Sequence, residues 1–163
     1  MNASPPGHAI DGSAHRSAPA AHGRTVCIVG TGIRHAYPEE HRRLHSLVAV
    51  AGSALSQFRP DTRPQCSTFP APDATMVGYE AATVIVEASE RSGARIQVRE
   101  AVGPGRSVLP MRPVLDRAAW TRPFLRRPDV HAVQDMDNVL RTLGRIIDHP
   151  RERLRPYGSW AGA

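Results

Sequence analysis

The sequence predicts an α/β fold, a mainly parallel sheet with helices on both faces, and three observations carry that expectation. Two short β-branched apolar runs, Thr25-Val26-Cys27-Ile28-Val29 and Thr83-Val84-Ile85-Val86, suit strands covered on both faces, as in parallel sheets. Each run stops at a turn and gives way to apolar residues at helical spacing. The handover from strand to helix occurs three times in succession, which is the connectivity of parallel βαβ units.

A chain of 163 residues is one domain's worth. Residues 1–23 are mostly Ala, Ser, Pro, Gly and His and offer little to bury, so they read as a disordered tail. His8, His15 and His22 recur every seven residues there, but a tail without fixed geometry makes a poor metal site. Order is expected from Arg24.

The first strand closes on Gly30-Thr31-Gly32, which permits a tight turn but is a weak nucleotide signal alone. Five residues intervene before Pro38, which suits the first turn of a helix with Glu39 and Glu40 at its positive end. Leu44, Leu47, Val48 and Val50 supply its apolar positions, and Gly52 ends it. Ala54–Phe58 reads as the second strand. Residues 59–72, with Pro60, Pro64, Pro70 and Pro72, read as a long loop, and Asp73 as the cap of a short helix running to Ala82.

The third strand, Thr83–Val86, places Glu87 at its carboxyl end, where open α/β sheets put their ligand crevices. Ser92-Gly93 then reads as the cap and entry of a helix over Ala94–Val102. The amide donors there suit a phosphate; a plain capped turn fits the residues as well. Gly103-Pro104-Gly105 stops the helix, and Arg106–Pro110 reads as a fourth strand. Residues 112–129 interleave Arg with Pro, Trp120 and Phe124, the composition of either a single-stranded nucleic-acid surface or a linker pinned by its aromatics. Residues 130–149 are a last strand and helix: Val130–Val133, then Asp135 as cap and Val139, Leu140, Leu143, Ile146 and Ile147 on one face. Residues 150–163 are a basic tail.

Charge is split between the halves. Residues 1–90 hold seven Arg against eight acids, and residues 91–163 hold fourteen Arg against seven. A polyanionic partner would meet the second half. All 21 basic residues are Arg, which binds phosphate well. Cys27 and Cys66 have no zinc or CxxC spacing and read as reduced thiols of a cytoplasmic protein. No apolar run approaches the roughly 18–20 residues of a membrane helix. Nucleophile–base pairs, carboxylate pairs and metal-ligand spacings are missing from the pattern, so neither an enzyme nor a cofactor is expected.

Several motifs, taken in order, carry a resemblance. Gly30-Thr31-Gly32-Ile33, Tyr37-Pro38-Glu39-Glu40-His41, Leu55-Ser56-Gln57-Phe58, Phe69-Pro70, Val84–Ala88, Glu90-Arg91-Ser92-Gly93 and Gly105-Arg106-Ser107-Val108 resemble the second half of the DprA/Smf DNA-processing proteins. The match runs over residues 24–111. A looser echo extends through Val130 to Leu143. The resemblance implies a truncated, Rossmann-like three-layer sandwich that binds single-stranded DNA, dimerises or needs a complementing chain, and serves a RecA-type partner. It departs from the family in three ways. Residues 1–22 stand where the family's first half would be, Ala71–Thr75 replaces an Arg-Asn-Arg run that contacts DNA phosphates, and Ala94-Arg95-Ile96-Gln97 replaces the family's Ser-Leu-Ile-Thr, placing an arginine at the helix start. The phosphate-contact residues that remain are Gly30, Thr31, Arg91, Ser92, Gly93 and Arg95. A nucleotide-binding module, or a remnant acting through protein contacts alone, is the alternative.

Overall fold

A computed structural model of the chain describes residues 2–4, 10–65, 71–90 and 92–149. The chain divides into two compact units, Met1–Tyr79 and Glu80–Ala163.

In the first unit, β1 (Asn2–Ser4), β2 (Thr25–Ile28) and β3 (Ser53–Leu55) form a parallel sheet in the order β1-β2-β3. Every residue of β2 is buried, because its alternating side chains serve two cores. Cys27 and Val29 meet Leu44 and Val48 of α2 (Arg42–Ala51). Val26 and Ile28 meet Met76 of α3 (Ala71–Tyr79) on the other face. The expected strand covered on both faces is therefore present. Burial pushes the Cys27 thiol up to about 12, so the thiolate that reacts with oxidants is disfavoured. Cys66 lies outside the described residues.

The largest correction concerns the tail. Residues 10–20 form a helix, α1 (Ile10–Ala20), although Gly12, Ser13, Ser17 and Pro19 are poor helix formers. Tertiary contacts override that propensity. His15 is fully buried and its Nδ1 lies 2.6 Å from Thr25 Oγ1 on β2, which offsets the cost of burying a polar ring. The helix closes in a Schellman motif: the Gly23 amide donates to the Ala18 carbonyl at 2.7 Å and the His22 amide to that of Pro19 at 3.0 Å. His22 takes the left-handed conformation this requires, with φ 55°. His15 is thus a core residue, and His8 lies outside the described residues.

Smaller differences follow from local chemistry. Pro38 precedes a 3-10 turn, Glu39–His41, before α2 begins. Leu47 and Val50 of α2 are exposed, so its buried stripe is only Leu44 and Val48. The β3 strand is three residues long because Ser56 leaves the ladder: its hydroxyl donates to the Thr31 carbonyl at 2.6 Å and accepts from the Phe58 amide. Gly52 marks a close approach, since a Cβ there would fall onto the Thr25 carbonyl oxygen. The helix α3 starts at Ala71 and ends at Tyr79, which makes Asp73 part of its first turn and leaves Ala82 to the next strand.

In the second unit, β4 (Ala82–Ile85) and β5 (Ser107–Pro110) pair in parallel over four residues. The expected last strand is present only as two parallel bridges, Val108 with Val130 and Met111 with Val133. One face carries α6 (Met136–Asp148), whose Val139 joins Leu109 and Val133 in a core, with Leu143 and Ile146 against it. Asp135 caps α6 by accepting from the Asn138 amide at 2.7 Å. Leu140 and Ile147 are exposed and lie off the buried stripe. The other face carries α4 (Ala94–Val102), with Val98, Ala101 and Val102 buried.

Residues 112–129 are not a linker. They fold as α5 (Arg112–Arg117) and a 3-10 segment, Ala119–Arg126, with Val114, Trp120 and Thr121 buried. Arg127 fastens the end of this segment by donating to the Val102 carbonyl at 2.6 Å while pairing with Asp129 at 2.9 Å. Pro113 and Pro123 are tolerated in these short pieces because Pro113 falls in the first turn of α5 and the second segment is 3-10. Among the described residues, no helix is long and apolar enough to cross a membrane.

Candidate functional site

Two turns leave the carboxyl ends of parallel strands, one in each unit, and they differ in how their polar groups are used. After β2, Gly30 is half-buried and Thr31 is buried, its hydroxyl donating to the His35 carbonyl at 2.9 Å. The Gly32 amide donates to the Thr62 carbonyl at 2.8 Å, and a Cβ on Gly32 would fall onto the carbonyl oxygens of Arg59 and Pro60. Arg34 makes a two-pronged contact with Asp61, at 3.1 and 3.0 Å. Gly32 therefore serves a close backbone crossing, and the Thr31 hydroxyl donates within the loop.

After β4, residues 86–93 run irregularly into α4. Ser92 does not hold the cap position. Gly93 does, with helical angles (φ −58°, ψ −23°), while Ser92 Oγ accepts the Ala94 amide at 3.2 Å from one residue further out. The Arg95 amide donates to the Ser92 carbonyl and that of Ile96 to the Gly93 carbonyl. Most donors at this helix start are thus engaged, and an anion would have to be met chiefly by side chains. Gly93 is exposed, and nothing lies within 4 Å of where its Cβ would be. Neither angles nor crowding require glycine there. Arg95 is exposed, and Arg91 lies outside the described residues.

The segment after α5 is fastened to this turn by two bonds. Glu90 Oε1 accepts the Ala119 amide at 2.5 Å, and Trp120 Nε1 donates to the Ser89 carbonyl at 3.0 Å. These hold residues 119–120, which Arg117 and Arg122 flank, against the turn that leads into Arg95. All three are exposed and have no acidic partner among the described residues. Arg112 pairs with Asp116 at 3.4 Å and Arg127 with Asp129, so the basic residues of this stretch divide into structural and unengaged sets. Interleaved Arg and aromatic residues were legible in the sequence, but the fate of the rings was not. Trp120 is 8% exposed and meets Phe124 edge to face at 6.2 Å, so it anchors the segment and offers no face to a base.

At the opposite, amino end of this sheet, burial pushes the Glu80 carboxyl up, while the Thr83 hydroxyl bonded to it and the nearby Arg106 act against the shift. Arg106 is therefore drawn toward an internal acid. Beneath the turn, an apolar cavity bounded by Ile85, Val98, Val114, Trp120 and Phe124 has a volume of about 10 Å³, room for one water and far too small for a nucleotide. Among the described residues, no group of three or more His, Cys, Asp or Glu is placed to hold a metal ion.

Ser92, Gly93 and Arg95 thus lie at one turn, to which the segment carrying Arg117 and Arg122 is bonded, and Gly30 and Thr31 belong to the turn after β2. Comparison with known proteins identifies the lineage. Residues 7–143 match the family of DNA recombination-mediator protein A. Protein Smf of Synechocystis sp. is 34% identical over 148 residues, covering 88% of this chain and 37% of that protein. DNA processing protein DprA of Bacillus subtilis is 33% identical over 99 residues, covering 61% of this chain and 33% of that protein. DNA processing protein A from Streptococcus pneumoniae superposes with a TM-score of 0.71 at 25% identity, over 85% of this chain and 50% of that one. The corresponding protein from Helicobacter pylori gives a TM-score of 0.60 at 18% identity, covering 74% of this chain and 56% of that one. The match spans 37% of the Synechocystis protein and 33% of the Bacillus protein, well under half of either. The family match begins within residues expected to be a tail, so α1 belongs to the shared region, and it ends at residue 143, where the looser echo through Val130 to Leu143 was expected to end. The chain belongs to the DNA recombination-mediator protein A family, the DprA/Smf DNA-processing proteins.

Proposed function

We propose that the chain binds single-stranded DNA without catalysing a reaction on it, the phosphates meeting Arg95, Arg117 and Arg122 around the turn that leaves β4. The observation that supports this reading most is the set of exposed guanidiniums without acidic partners, carried on two segments that hydrogen bonds hold together. Guanidinium is suited to phosphate, and unengaged guanidiniums bind it without first losing a carboxylate. The uncrowded Gly93 adds a place where a strand can approach the backbone closely. Family kinship points the same way, as does the single-stranded DNA binding mode of the Helicobacter pylori protein. Handing the strand to a RecA-type recombinase, and pairing with a second copy or a complementing chain, belong to the same proposal and rest on kinship alone.

The test is an electrophoretic shift series with a single-stranded oligonucleotide at rising salt. Binding is expected at low salt and should weaken as salt rises, because counterion release drives it. Arg95→Ala with Arg122→Ala removes two phosphate contacts and should flatten the slope of log affinity against log salt by about 1.4, at roughly 0.7 per contact on single strands. A chain that shifts no oligonucleotide at low salt overturns the reading.

A further inference from the structure

We propose that Glu90 and Trp120 form a latch that positions the β4 turn for the strand, so that a carboxylate beside a phosphate site strengthens binding. The inference rests on the function proposed above and adds a positioning device to it. Two consecutive residues of one segment clasp two consecutive residues of the other: Ala119 to Glu90 at 2.5 Å, and Trp120 to Ser89 at 3.0 Å. A pair of adjacent bonds fixes orientation as well as distance. Trp120 can act as the fixed side because its ring is buried and braced by Phe124, with the two planes at 80°.

Among the described residues, the turn's own bonds are short-range ones: the Ser92 amide to the Ser89 carbonyl at 3.2 Å, the Ala94 amide to Ser92 Oγ at 3.2 Å and the Ile96 amide to the Gly93 carbonyl at 2.8 Å. Gly93 adds no side-chain contact. The latch adds the bonds that tie this turn to the segment after α5, and a turn so fixed spares the strand the entropy of arranging Arg95 against Arg117 and Arg122. Glu90 also sits at the first amide of the 3-10 segment, where a carboxylate is favoured by the peptide dipoles.

Simple electrostatics gives the opposite sign for this residue. If Glu90 were only a negative charge near the phosphates, removing it would tighten binding, and Glu90→Gln and Glu90→Ala would behave alike. A latch separates them, since glutamine keeps an oxygen that accepts the Ala119 amide and alanine does not. The experiment measures oligonucleotide affinity by fluorescence anisotropy for the full chain and three variants, with the melting temperature of each. Glu90→Ala is expected to lower affinity roughly tenfold or more, the equivalent of one hydrogen bond to a charged group. Glu90→Gln should stay within about twofold of the unmodified chain. Trp120→Phe keeps the ring and loses the N–H, and should weaken binding about threefold, near the net worth of a neutral hydrogen bond. Equal or tighter binding by both Glu90 variants overturns the latch. Failure of the unmodified chain to bind overturns the proposed function itself, and needs no variant to detect. Hydrogen exchange without DNA gives an independent readout. The Ala94 and Arg95 amides should exchange faster in Glu90→Ala than in Glu90→Gln, and equal rates in the two overturn the latch even where Glu90→Ala is too unstable for the affinity measurement.

Discussion

At the carboxyl end of β2, the loop from Gly30 to His35 spends its polar groups on itself and on residues 56–62: Thr31 on His35, Ser56 on Thr31, Gly32 on Thr62, and Arg34 on Asp61. At the carboxyl end of β4, the bonds run instead to a segment some thirty residues further on, and Arg95, Arg117 and Arg122 are left without acidic partners among the described residues. Both turns contain glycine and follow a parallel strand. Their glycines do different things. Gly32 is required by a crossing of backbones, whereas Gly93 has ordinary helical angles and open space beside it. A glycine-rich turn at a strand end is therefore not in itself a ligand site; the question that decides is which donors and charges remain unspent.

Substituting the two glycines is the sharpest way to test that contrast. Gly32→Ala forces a Cβ onto two carbonyl oxygens and should cost about 3 kcal/mol or more, read as a large fall in melting temperature. A loss below about 1 kcal/mol would break the comparison at its first term. Next in size, His15→Ala opens a cavity beside β2 and removes the Thr25 contact, with an expected loss of about 2–3 kcal/mol by urea titration. An unchanged midpoint would restore the tail reading of residues 10–20. Smallest is Gly93→Ala, which should leave stability within about 0.5 kcal/mol of the unmodified chain or raise it, because the angles already suit alanine. Its oligonucleotide affinity should fall a few-fold as a methyl group enters the path of the strand. A drop in stability with unchanged affinity would assign Gly93 a purely structural role.

Much of the scaffold was legible because β2 and β4 are short β-branched runs, and β2 is buried on both faces. The cap at Asp135 was equally readable, since an acceptor three residues before an amide donor is a local matter. The helix Ile10–Ala20 was not. Its stability comes from a histidine meeting a threonine ten residues away, and composition carries no record of such a contact. Gly23 after Ala-Ala-His was the available signal, a helix-ending glycine read as tail. Within the site, Ser92, Gly93 and Arg95 were found from the strand-to-helix handover, a local pattern. Arg117 and Arg122 join it only through the Trp120 and Glu90 bonds, and the same bonds consume the aromatic ring that interleaving with arginine had suggested for base stacking.

The central claim is that unspent arginines at the β4 turn, and not the glycine loop after β2, meet the phosphates. The most direct measurement compares the salt dependence of oligonucleotide binding for Arg34→Ala and for Arg95→Ala with Arg122→Ala. Arg34 is already paired with Asp61, so its replacement should leave the slope of log affinity against log salt unchanged, while the double variant should lose about 1.4 from it. A reduced slope for Arg34→Ala together with an unaltered one for the double variant would contradict the account.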